Sequence, residues 1–221
     1  LERSAEQVWH ARAAAVASYL EQTIGLSLRP RDLPPSPRGW SGNVVFEDGP
    51  YIAAYDPKTR SIMIAPTKVH PDEPLATYVL VHELLHAAAA QPMFMTNRDY
   101  AAEEAWAAAY ARLIVARLGA EHAAFRGLDL AALDERLALH PYRRLIDLME
   151  AIRFLTGLSA DAFYRPLALS AGAERWRTIA TMIGQLYCGV ERAARVRDLE
   201  RLQDRIAFHV FTIDQLAGRA P

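Results

Sequence analysis

The segment His82-Glu83-Leu84-Leu85-His86 carries the residues whose types and spacing point most directly to chemistry. Histidines four positions apart project from one helix face, one turn apart, so both imidazoles can reach a single Zn²⁺ ion. Glu83 beside them is placed to take a proton from water at the metal instead of ligating it. The competing reading is a buried helix that happens to contain two satisfied histidines. Zinc hydrolases use a third protein ligand and leave the fourth position to water. The run Tyr100–Ala111 offers two adjacent carboxylates. Glu103 shares a helix face with the large Trp106, Tyr110 and Ile114, and Glu104 shares one with the small Ala107, Ala108 and Ala111. Close approach to the motif helix, which continues into Ala87–Ala90, favours the small-residue face. Glu104 is therefore the expected third ligand and Glu103 the alternative. A third possibility is that both are first-turn acids that favour the helix dipole.

Cys188, the single cysteine, precedes Gly189 near a helix end. It reads either as a small buried hydrophobe or as an inhibitory fourth zinc ligand that displaces the catalytic water. His10, His70, His122, His140 and His209 have no partner at ligand spacing and are expected to be ordinary surface or core residues. Arg192, Arg195, Arg197, Arg201 and Arg205 are interleaved with Glu191, Asp198, Glu200 and Asp204. That pattern favours a solvated, salt-bridged face; the alternative is a surface where nucleic acid acts as an activator.

Several elements must position these groups. Ser4-x-x-Gln7 is a capping-box pattern, and Val8, Ala11, Ala15, Tyr19 and Leu20 follow at helical spacing, so residues 4–23 form a first helix. Residues 29–42, with four prolines and two glycines, are too punctuated for regular structure. Three short β-like runs follow, Asn43–Glu47, Tyr51–Tyr55 and Arg60–Ala65, separated by Asp48-Gly49-Pro50 and by Asp56-Pro57-Lys58-Thr59. Both separators are turn sequences, which predicts an antiparallel meander. The run Arg60–Ala65 is the strand expected to pair with an extended substrate. Asp72-Glu73-Pro74 opens the motif helix, expected to reach about Ala90, and a further helix runs from Thr96-Asn97 to Leu118 with Gly119 as its stop. Helical periodicity then recurs over 128–139, 141–156, 160–168, 173–187 and 190–211. The fold class is α+β, mostly helical, with a small antiparallel three-stranded sheet and a helical C-terminal extension. The division is 1–127 and 128–221.

Composition narrows the function classes. The 221 residues are 52% hydrophobic and carry a formal net charge of −1, which excludes a disordered chain and a globally basic nucleic-acid binder. The longest stretch without charge, Leu84–Asn97, spans 14 residues, too short and too polar for a bilayer. No basic segment followed by an apolar run opens the chain, so no signal peptide is expected. One cysteine cannot form an internal disulfide, which favours a reducing, cytoplasmic setting.

His-Glu-x-x-His, followed on a second helix by Glu104, Ala107, Tyr110 and Ala111, resembles the ImmA/IrrE family of gluzincin metallopeptidases, whose second helix reads Glu-x-x-Ala-x-x-Phe-Ala. The order helix, small sheet, motif helix, glutamate helix over residues 4–118 is similar to that family, and Tyr110 departs from its usual Phe. The resemblance implies a zincin fold, a Zn²⁺ cofactor held by His82, His86 and Glu104, and Glu83 as general base. It also implies a protein substrate, a helix-turn-helix transcriptional repressor cleaved in stress response or anti-phage defence, as for relatives of the CapP type. The alternatives are a toxin-type gluzincin of another family and a non-catalytic binding module with a structural zinc.

Overall fold

Ser4 starts the first helix as its sequence requires: its side chain accepts from the Gln7 N–H, and the Gln7 side chain accepts from the Ser4 N–H. The computed structural model describes residues 4–30, 38–89 and 96–216. Most of the proline-rich run, 31–37, and the segment 90–95, into which the motif helix was expected to end, lie outside the described residues. Helix α1 (Ala5–Tyr19) buries Trp9, Ala13 and Val16. It widens into a π-helical turn, Leu20–Ile24, and stops at Gly25, whose φ of 77° suits glycine.

Strands β1 (Val44–Phe46), β2 (Ala53–Asp56) and β3 (Ser61–Ile64) lie in the order β1-β3-β2. The Asp56–Thr59 turn closes an antiparallel β2–β3 pair, with Ala53 opposite Ile64 and Asp56 opposite Ser61. β1 pairs with β3 in parallel, Val44 opposite Ile62. The sheet is therefore mixed, and the expected antiparallel meander is corrected. The reason lies in how Asp48-Gly49 is used. The Asp48 carboxylate accepts from the Thr67 hydroxyl at 2.6 Å, and the Gly49 carbonyl accepts from Lys68 Nζ at 2.6 Å. Those bonds tie the segment to the turn after β3 instead of folding β1 onto β2. The most buried strand, with Ile62 and Ile64 fully buried, takes the protected centre. Both edges of β3 are thus occupied, so it cannot receive a substrate strand as expected; the edges are β1 and β2.

Helix α2 (Pro74–Ala88) and helix α3 (Asn97–Glu121) follow. α3 does not stop at Gly119. It continues to Glu121, whose carboxylate accepts from the Tyr19 hydroxyl at 2.7 Å, so a tertiary contact holds the last turn in place. After a short 3₁₀ turn come α4 (Leu130–Ala138), α5 (Tyr142–Thr156), α6 (Ala160–Leu169), α7 (Ala173–Leu186) and α8 (Gly189–Leu216). None of the described helices is long and apolar enough to cross a membrane.

The chain forms two compact units, Leu1–Ala88 with Ala111–Leu139, and Ala89–Tyr110 with His140–Pro221. In the first, α2 packs against α1, β2 and α4, and the core gathers Trp9, Leu20, Ile62, Ile64, Leu80 and Leu84. There Arg112 makes two 2.6 Å bonds to the Asp134 carboxylate, fixing the second half of α3 to α4. In the second, α5 packs against α6, α7 and α8. Its centre is aromatic: the Tyr110 and Tyr164 rings stack at 5.2 Å, and the Trp106 indole N–H donates to the Tyr164 carbonyl at 3.0 Å.

Candidate metal centre

Every residue of α2 from Leu75 to Ala88 is buried, because apolar side chains surround this helix instead of lining one stripe. His82 and His86 are thereby held inside the protein, where a pair of polar rings needs a shared purpose. Their Nε2 atoms lie 3.1 Å apart, with the rings at 4.8 Å and 76° to one another. Two imidazoles bound to one tetrahedral Zn²⁺ at about 2.0–2.1 Å have their nitrogens roughly 3.3 Å apart, so the pair is nearly at ligating separation.

The end of α2 is secured from the proline-rich segment. Arg38, buried, donates to the His86 carbonyl, and the Gly39 N–H donates to the Ala87 carbonyl at 3.0 Å. Gly39 has a φ of +106°, and a Cβ there would sit 2.5 Å from the Arg29 carbonyl oxygen. Only glycine allows that approach. Sequence reading treats this run as mere punctuation; its arginine-glycine pair in fact caps the motif helix.

One ligand atom from each of His82, His86 and Glu104 lies within 4.8 Å of the others, and all three residues are buried. This group could hold a metal ion: two neutral nitrogen donors and one carboxylate suit a borderline divalent cation. Glu83 is buried on α2 but is not one of the three.

The two adjacent glutamates have different surroundings. Glu103, buried, accepts from Arg175 Nη1 at 3.3 Å, and Arg175, fully buried on α7, also donates through Nε to the Leu167 carbonyl at 3.2 Å. The Arg175 guanidinium lies 5.5 Å from the Trp106 ring. Glu104 Oε2 accepts from the Tyr142 hydroxyl at 3.1 Å. Neither Arg175 nor Tyr142 is identifiable from the local pattern, since their partners lie far along the chain.

Cys188 is exposed between α7 and α8 and is not among the residues brought together with His82 and His86. It is not the small buried hydrophobe of one reading, and the structure does not bring it to the metal group as the other requires. Comparisons of the chain with protein-family profiles, with curated proteins and with solved structures return no match.

Proposed function

We propose that this chain is a zinc-dependent endopeptidase of the ImmA/IrrE type that acts on a protein substrate, a helix-turn-helix transcriptional repressor, in the cytoplasm. The observation that carries the reading is the buried His82–His86–Glu104 group on helices that also present Glu83 within the His-Glu-x-x-His motif. Zn²⁺ in that group would supply Lewis-acid polarisation of the scissile carbonyl and lower the pKa of water. The three ligands hold and orient the ion, and burial strengthens their field by excluding solvent. Glu83 accepts a proton as water oxygen adds to the carbonyl carbon. It then returns that proton to the amide nitrogen as the C–N bond breaks. Of the two sheet edges, β2 packs against α2, so an extended substrate backbone is proposed to pair there.

The test is metal analysis together with Glu83→Gln. The wild-type protein should contain one zinc per chain and cleave a co-expressed helix-turn-helix repressor. Glu83→Gln should retain zinc and lose cleavage by at least about 100-fold, since Gln cannot accept the proton. No metal after zinc-supplemented expression, or an active Gln variant, overturns the reading.

A further inference from the structure

We propose that Tyr142 is a positioning residue for the metal centre, fixing the Glu104 carboxylate for ligation; this rests on the reading of His82, His86 and Glu104 as metal ligands. A carboxylate that gives one oxygen to an ion leaves the other in need of a donor, and in a buried site that donor sets the rotation of the group. The Tyr142 hydroxyl donates to Oε2 of Glu104 at 3.1 Å. A neutral hydroxyl suits this task. An Arg or Lys at the same distance would form a competing ion pair and repel a divalent cation. The neighbouring glutamate shows the contrast, because Glu103 is already engaged by the Arg175 guanidinium.

Tyr142 is itself held in place. It is the first residue of α5, its N–H donates to His140 Nδ1 at 3.3 Å, and its ring meets the His140 ring edge-on at 4.9 Å. One residue earlier, the Pro141 carbonyl accepts from His209 Nε2 on α8 at 2.9 Å. Two histidines without ligand spacing in the sequence therefore brace the start of α5, and through it the phenol. The chain of contacts runs from α8 through α5 to Glu104.

The experiment compares Zn²⁺ affinity and the visible spectrum of the Co²⁺-substituted protein for wild type and Tyr142→Phe. The phenylalanine variant keeps the ring and removes only the donor. Zinc affinity should fall about tenfold or more, and the Co²⁺ bands should shift, while the melting temperature of the metal-free protein stays close to wild type. Proteolysis lost at limiting zinc should return at saturating zinc, as positioning requires; a kcat that stays low at saturation would instead assign the hydroxyl to the substrate and overturn the proposal. In a Glu104→Ala background, Tyr142→Phe should have no further effect on metal affinity. Affinity within about twofold of wild type and an unchanged Co²⁺ spectrum overturn the role of Tyr142 alone. A wild-type protein that binds neither metal overturns the site reading and this inference with it.

Discussion

The first turns of α3 and the length of α8 use charge in opposite ways. In α3 two adjacent carboxylates are buried, and each meets a particular partner: Glu103 an arginine with 0% side-chain exposure, Glu104 a tyrosine hydroxyl. Along α8 the charges are mostly wet, even where Asp204 reaches Arg98 on α3 at 2.6 Å. Arg201 pairs with Asp198 at 3.4 Å, and Arg195 with Glu191 at 3.0 Å, within three or four residues of each other. Arg195 goes further, donating to the Leu155 carbonyl at 2.7 Å and lying 3.7 Å over the Tyr187 ring. A charge out of water must be compensated by one specific group, whereas a charge in water is compensated by the solvent whatever its neighbour. The same residue types are thus enclosed in one helix and largely hydrated in the other.

Removing one member of the buried pair breaks the comparison most sharply. Glu103→Ala should destabilise the protein by about 3–5 kcal/mol in urea titration, because it leaves Arg175 charged and enclosed. Adding Arg175→Met should recover much of that loss, as the uncompensated charge disappears. Glu104→Ala should cost far less stability in the metal-free protein but lower zinc affinity more than Glu103→Ala does. Equal effects on both readouts would mean that the two glutamates are not divided between structure and ligation.

An intermediate case is Asp56, which closes the β2–β3 turn by accepting from the Thr59 hydroxyl at 2.6 Å and from the Lys58 N–H at 2.9 Å. The Thr59 hydroxyl is the largest cause of an Asp56 pKa below its ordinary value, with the Lys58 and Thr59 N–H groups adding to it. Because the folded pKa is depressed, the stabilisation is present above the unfolded carboxylate value and is lost as pH falls through the folded one. Asp56→Asn should therefore flatten part of the acid limb of the melting-temperature profile, and its cost near neutral pH should be about 1 kcal/mol or less, given the turn's exposure.

The smallest effect is expected on α8. Arg201→Ala removes a pair whose side chains are 78% and 50% exposed, and should change stability by no more than about 0.5 kcal/mol. A loss above 1 kcal/mol in the same titration would place this face in the structural class of α3.

Local pattern was legible wherever one element satisfies its own requirements. The Ser4–Gln7 capping box and the β2–β3 turn both formed as their residues imply. The helical spacing of His82 and His86 likewise placed two rings together without any tertiary information. What failed was order and extent. β3 lies between its neighbours because Asp48 and Gly49 bond beyond the strands, and α3 passes Gly119 because Tyr19 reaches Glu121. Neither partner is visible in a window of a few residues.

The sequence by itself determined the helical body, the three strands and the paired histidines, since periodicity, turn residues and the rise of an α-helix act over a few positions. Side-chain size on α3 singled out Glu104 over Glu103 as the candidate ligand. Tertiary structure alone decided why Glu103 stays apart, that Tyr142 approaches Glu104, that Arg38 and Gly39 close the end of α2, and that Cys188 is exposed. Those outcomes depend on which groups burial strips of water, and a buried charge or carbonyl finds its partner in space, 38 residues along the chain for Glu104 and 72 for Glu103.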